Sequence, residues 1–244
     1  MNIIPVLIAS AILLVPAFTG TAESIETDPF EQFENWAKEN GIELVGVNKN
    51  SFDLYYDGYI PETDYVSWKR IPNVLVAAEV LYKIPQDVIQ VMDGKTLYFS
   101  TEYGRSYAVL GSFPSYGILE GLEPGIILEQ NINPHTVIHE LGHIVDYHGI
   151  QGIYGDDQNI FHHLSEDRSS IFKVTQKYHP RSTTPPNGYI SVYSTANDAE
   201  NFAENFTYYI QYPNEFRERL TLDPLLIDEY EFLRDEIFSG FEFQ

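Results

Sequence analysis

The sequence contains no cysteine. That absence excludes disulfide bonds, cysteine-linked lipid anchors, thiolate metal ligands and cysteine nucleophiles. Any metal site has to be built from imidazoles and carboxylates. Basic residues are scarce as well: 14 Lys and Arg stand against 36 Asp and Glu, for a formal net charge of −22. Such a chain lacks the basic patches that nucleic acids and anionic membrane surfaces require, so neither is expected as a partner. There is no internal repeat and no low-complexity linker. Only one long apolar run exists, Ile3 to Phe18, followed by Thr19-Gly20-Thr21-Ala22 and the acidic Glu23. Pro5 and Pro16 interrupt it, it barely reaches the length of a membrane span, and Gly20 and Ala22 suit a signal peptidase, although no Lys or Arg precedes the run. Residues 1–22 are therefore expected to be a signal peptide cleaved after Ala22. Residues 23–244 would be one secreted, extracellular domain with no stable membrane association, a length ample for a single core.

Apolar periodicity and turn residues give a coarse order of elements. Asp28-Pro29 opens a short amphipathic helix carrying Phe30, Phe33, Trp36 and Ala37 that stops at Gly41. Ile42 to Val47 and Ser51 to Tyr56 read as strands of a hairpin turning at Asn48-Lys49-Asn50. Pro72 to Tyr82 and Pro85 to Met92 read as helices, and Lys95 to Ser100 as a strand. Thr101 to Gln130 is rich in Gly, Tyr and Ser, with short strands expected at Tyr107–Leu110 and Gly125–Glu129. Asn133-Pro134 caps a central helix that ends before Gly149. Asn159 to Tyr178 is expected to be helical, Gly188 to Tyr193 extended, and Ala196 to Gln211 strongly helical. Two acidic helices, Asn214 to Leu220 and Pro224 to Phe238, close the chain. The expected class is α+β, mostly helical with a small mixed sheet.

The central helix carries His139-Glu140-Leu141-Gly142-His143. Residues four apart in a helix lie about 40° apart around its axis, so His139 and His143 project from one face and can share one metal ion. Glu140 stands beside them, where it can polarise a metal-bound water. Val137, Ile138, Leu141, Ile144 and Val145 surround the polar trio and imply a buried helix, in which three polar groups need a reason to be present. Imidazole ligands and a catalytic role suit Zn2+, which takes three protein ligands and leaves one position open. His162-His163 cannot easily share an ion, because adjacent helical residues point about 100° apart.

The third ligand is not in the motif. The long form of this motif would need Gly at Asp146 and His at Gly149, and the chain has neither. His148 is one residue out of register and suits a role at the helix end, where an imidazolium meets the dipole. A carboxylate from a later helix is then expected, with Glu166, Glu200 and Glu204 competing. Glu166 sits in a charged stretch that reads as a solvated face. Glu200 and Glu204 share one helix face beside Ala196 and Ala203, small residues that allow close approach to the central helix. One as ligand and the other as acceptor for a ligand imidazole is a sensible division.

His139 to Asp146 (HELGHIVD), Tyr193, and Glu200 to Phe206 (ENFAENF) together resemble the zincin-type catalytic domain of anthrax lethal factor and the secreted bacterial Pro-Pro endopeptidases. The similarity extends from about Thr96 to Tyr209. It implies a zincin-like fold, Glu200 as third zinc ligand from its place seven residues after Tyr193, Glu204 and Asp146 supporting the ligands, and Tyr193 and Glu140 as the catalytic pair. It also implies a protein or peptide substrate lying along an edge strand from the Tyr98 to Gln130 region, with cleavage near proline as one possibility. A catalytically silent zincin-fold binding module, at the cell surface or in a toxin-like system, is the competing reading. Retention of Glu140 favours the enzyme, since a binding module needs no general base.

Overall fold

The computed structural model describes residues 28–50, 53–55, 59–71, 74–109, 122–148 and 170–244. The expected leader at 1–22, His162, His163, Glu166 and most of the helix expected over 159–178 lie outside these residues.

Helix α1 spans Pro29–Glu39, capped by Asp28, whose carboxylate accepts from the Phe30 amide at 3.0 Å. Pro29 supplies a preset first-turn φ, and Gly41, at φ +67°, takes the left-handed conformation that turns the chain away. Phe33 and Ala37 face the core. Strand β1 (Glu43–Val47) follows, but not as half of the expected hairpin. Its antiparallel partner is β2 (Tyr65–Val66), and its other edge pairs in parallel with β3 (Thr96–Ser100). Neither edge is left for a strand at 51–56. Residues 53–55 instead make a helical turn that buries Leu54 completely and stacks Tyr55 on Tyr107 at 4.6 Å.

Helix α2 (Val74–Leu81), the short α3 (Gln86–Ile89) and a 3-10 turn at Gln90–Met92 carry the chain across to β3. Strands β4 (Tyr107–Val109) and β5 (Gly125–Leu128) complete a mixed sheet of order β2-β1-β3-β5-β4, with β3 and β5 parallel and β4 antiparallel on the edge. Side chains alternate across it. Leu97, Phe99, Ile126 and Leu128 join the main core under the helices, whereas Tyr98, Ile127, Val47 and Val109 form a smaller cluster on the opposite face with Leu54 and Ile60. Both faces of β3 and β5 are therefore buried, which is why their sequences read as continuous apolar runs.

The second half is helical: α4 (Pro134–His148), α5 (Asp198–Gln211), α6 (Pro213–Leu222) and α7 (Ile227–Phe232). A 3-10 turn at Pro224–Leu226 leads into α7 and a π-helical turn at Leu233–Ile237 ends it. One hydrophobic cluster runs from Phe33 through Val137, Leu141 and Phe206 to Phe238. The chain is thus a mixed α+β protein. Among the described residues no helix is long and apolar enough to cross a membrane.

Between α4 and α5 the end of the expected 159–178 helix, from 172 on, and the expected extended stretch at 188–193 give way for a common reason: side chains take the backbone groups that regular structure would use. Helix stops by Phe172, and the Val174 and Thr175 amides donate to Asp198 Oδ1 at 2.7 Å and the Tyr189 hydroxyl at 2.8 Å. Farther on, the Arg219 guanidinium donates to the carbonyls of Tyr189 and Ile190 at 3.1 and 2.7 Å, and the stretch expected to be extended at 188–193 is turn and bend. Tyr193–Thr195 is a 3-10 turn instead.

Behind α5 lies a buried polar network. Asn201 Nδ2 donates to Glu229 Oε1 at 2.8 Å and to the Phe172 carbonyl at 3.2 Å, and Asn205 Nδ2 donates to Asn201 Oδ1 at 3.0 Å. Burial lifts the Glu229 carboxyl to about 8; the Asn201 and Asn205 amides pull it down and the charges of Asp223 and Asp228 push it up. A carboxyl raised from its ordinary 4.5 binds more protons folded than unfolded. Its stabilising contribution is complete below that value and is lost as pH rises through about 8. Glu229→Gln keeps the acceptor for Asn201 and removes the titration. Thermal melts from pH 4 to 9 should therefore show the variant gaining on the wild type as pH rises, with the two curves converging at the acid end.

Candidate metal centre

Helix α4 begins where Asn133 Oδ1 accepts from the Thr136 amide at 3.1 Å, and it presents His135, His139 and His143 at successive four-residue steps. The His139 and His143 rings meet edge to face at 4.8 Å. Helix α5 begins opposite, where Asn197 in an extended conformation accepts from the Glu200 amide at 3.0 Å. This cap sets the start of α5 at Asp198, two residues later than expected, and fixes Glu200 in the first turn.

The two helices cross at Gly142 and Ala203. A Cβ added to Gly142 would sit 3.1 Å from Ala203 Cα and 3.2 Å from the Phe206 ring. That close approach lets short carboxylate side chains on α5 reach the imidazoles of α4. Glu200 Oε2 lies 3.0 Å from His139 Nε2 and 3.3 Å from His143 Nε2. Glu204 Oε1 lies 2.9 Å from His139 Nδ1 and 3.2 Å from His135 Nε2. Both nitrogens of His139 therefore face carboxylates, one on each side of the ring.

Two sets of residues could hold a metal ion: His139, His143 and Glu200; and His135, His139 and Glu204. Both use His139. Zinc in tetrahedral coordination, with bonds of about 2.0–2.1 Å, separates its ligand atoms by about 3.4 Å. The two distances from Glu200 to the Nε2 atoms, 3.0 and 3.3 Å, are close to that spacing. In this set Glu204 fixes the tautomer and orientation of His139 from the other nitrogen. Thiolate-free donors of this kind fit a divalent ion such as Zn2+.

The remaining side chains have definite places. Glu140 is buried, and α4 rests on β4 so that the Ala108 backbone N–H reaches its carboxylate. Tyr193 remains 42% exposed, its ring 5.8 Å from His139 and its hydroxyl against Glu200. Asp146 sits half-buried two turns along α4 from His139 and belongs to neither ligand set, and His148 is the last residue of that helix. His135 is the one participant that motif reasoning passed over, although its place four residues before His139 was legible as one more step on the same face.

No known family model matches the chain, and no curated protein matches it.

The electrostatics favour positive charge at His139 and His143. Burial opposes a charge on His139, yet Glu200 and Glu204 outweigh it and hold the ring's pKa up to about 10. Burial likewise works against ionised Glu200, and His139 with His143 overcomes it to bring the carboxyl well below its ordinary range. Glu140 moves the other way: burial raises it despite His143 and His139 beside it. Three carboxylates thus converge on His139 and His143, and positive charge is what stabilises them there.

Because the Gly142–Ala203 contact sets the spacing of the centre, Gly142→Leu should force α4 and α5 apart. The expected loss is about 1–3 kcal/mol of stability, read from the urea midpoint, with weakened metal binding in calorimetric titration. Unchanged metal affinity would show that the ligands tolerate a wider crossing.

Proposed function

We propose that this protein is a secreted zinc endopeptidase of the zincin type, similar to the lethal-factor and Pro-Pro endopeptidase family. The observation that carries the reading is the convergence of His139, His143 and Glu200 with Glu140 at its side. Three neutral or anionic protein donors next to a carboxylate of raised pKa are the protein's parts in metal-assisted hydrolysis. The resemblance in motif and in the Tyr193 to Glu200 spacing supports the same reading, as does the apolar leader for secretion.

The chain's residues divide the work. His139, His143 and Glu200 would hold the ion, and Glu204 would orient His139. Zinc so held supplies Lewis acidity toward the scissile carbonyl and acidifies a water near neutral pH. Glu140 acts as general base, taking the proton from the attacking water, and its raised pKa suits it to keep that proton and pass it to the leaving nitrogen. Tyr193 stays protonated, since burial and then the nearby Glu200 raise its pKa, so its hydroxyl can donate to the developing oxyanion. Strand β4, last in the sheet order and beside α4, would be the strand along which an extended peptide pairs.

Zinc-loaded protein should cleave members of a diverse peptide library. Glu140→Gln should lower the rate by about 10²-fold or more while retaining zinc, whereas Glu200→Gln should lose the metal. Glu204→Gln should weaken zinc binding by about 10–100-fold. A zinc-loaded wild type that cleaves nothing would instead make the chain a silent zincin-fold binding module.

A further inference from the structure

The chain carries 36 acidic residues among 244, yet runs from Arg168 to Asn197 without one Asp or Glu. At the average density a stretch of that length would hold several. The same stretch includes Lys173, Lys177, His179 and Arg181. Among the described residues none of these four makes an ion pair. Three Lys and Arg side chains without a carboxylate partner among the described residues, Lys173, Lys177 and Arg181, are unusual on a protein of net charge −22.

The fold brings this segment to the candidate metal centre. The Tyr178 ring meets the Tyr193 ring edge-on at 5.9 Å, and Tyr193 in turn contacts His139. A cleft of roughly 240 Å³ opens there, lined by Gln176, Lys177, His179 and Ser182 and reaching Val192 and Thr195 on either side of Tyr193. Its frame is held by groups already described: Asp198 and Tyr189 fix the Val174 and Thr175 amides, and Arg219 holds the Tyr189 and Ile190 carbonyls. Asp223 accepts from the Gly188 amide. Asp198 and Asp223 are thus engaged with its backbone, and Glu200 and Glu204 with its Tyr193 and Ser191 side chains and the imidazoles of α4, while Lys177 and His179 remain exposed.

We propose that this cleft is a substrate subsite for a carboxylate, carried by an Asp or Glu side chain of an extended peptide whose scissile bond lies at the neighbouring centre. Lys177 and His179 are its specificity-determining residues. The proposal rests on the peptidase reading for the location of the scissile bond. The cleft itself makes a claim about binding that does not require turnover. An acidic peptide is repelled by most of this surface, so the Lys177 ammonium, with the His179 ring beside it as a hydrogen-bonding group, both selects the residue and sets the register of the chain past Tyr193.

The test uses zinc-loaded, full-length Glu140→Gln protein and fluorescein-labelled peptides with amidated C-termini, identical except for Glu, Gln or Lys at one position walked along the peptide. Fluorescence anisotropy should show, at one position, the Glu peptide binding roughly fivefold to tenfold more tightly than the Lys peptide, an advantage that shrinks as salt rises. Lys177→Glu in the same background should invert that preference, and Lys38→Glu on α1, the same charge change elsewhere, should not. A gain seen only when the C-terminus is left free would assign the cleft to a terminal carboxylate. Equal binding of Glu and Gln peptides at every position, no binding of any acidic peptide, or a Glu preference surviving Lys177→Glu would overturn the proposal. Hydrolysis by the wild type is read separately. A preference without hydrolysis would sink the peptidase reading and leave the subsite standing.

Discussion

Everything at the centre depends on how closely two helix backbones approach at Gly142 and Ala203. A methyl group at Gly142 would already press on Ala203 and Phe206, and the crossing brings Glu200 and Glu204 within hydrogen-bonding distance of imidazoles one helix away. A wider crossing would need longer side chains, whose rotamer freedom would cost more to fix. The rigid elements on either side hold the approach. Phe206 packs against Gly142 on one side and stacks on Phe238 at 5.4 Å on the other, so the last helical segment of the chain presses α5 toward α4.

Helix α5 has two polar faces with different duties. Glu200 and Glu204 face α4 and carry charge, whereas Asn201 and Asn205, each one residue on, face α7 and the Phe172 carbonyl with neutral amides. The alternation Glu-Asn, then Glu-Asn four residues later, repeats once per helical turn. Both faces take polar groups out of water and pair most of them, though Asn205 Oδ1 and Glu229 Oε2 on the back face stay without a hydrogen-bond partner among the described residues. On the front the compensation is ionic and changes with whatever cation is present. On the back it is a fixed amide network ending in a carboxyl that burial keeps protonated to about pH 8. The back face therefore anchors the helix that the front face uses.

Much of the centre was legible in the sequence because it is written in short-range spacing. The imidazoles of α4 and the Glu200–Glu204 pair follow from helical periodicity, and Ala203 already signalled a close crossing. What spacing alone left open was which of Glu166, Glu200 and Glu204 meets the Nε2 atoms of His139 and His143. In the structure Glu200 lies on the Nε2 side of His139 and Glu204 on the Nδ1 side. The failures are long-range. Nothing local to Ser51–Tyr56 reveals that both edges of β1 are already taken by β2 and β3. Nothing local to Lys173–Tyr178 reveals that Asp198 and Tyr189 will claim its amides. His135 was missed for a different reason: it stands outside the motif, and only its contact with Glu204 gives it significance.

The central claim is that one ion sits on the Nε2 side of His139, between α4 and the first turn of α5. Anomalous diffraction at the zinc absorption edge from crystals of zinc-loaded protein tests it most directly. The account predicts a single peak about 2.0–2.2 Å from His139 Nε2, His143 Nε2 and a Glu200 oxygen. A peak seated instead among His135, His139 Nδ1 and Glu204 would contradict it.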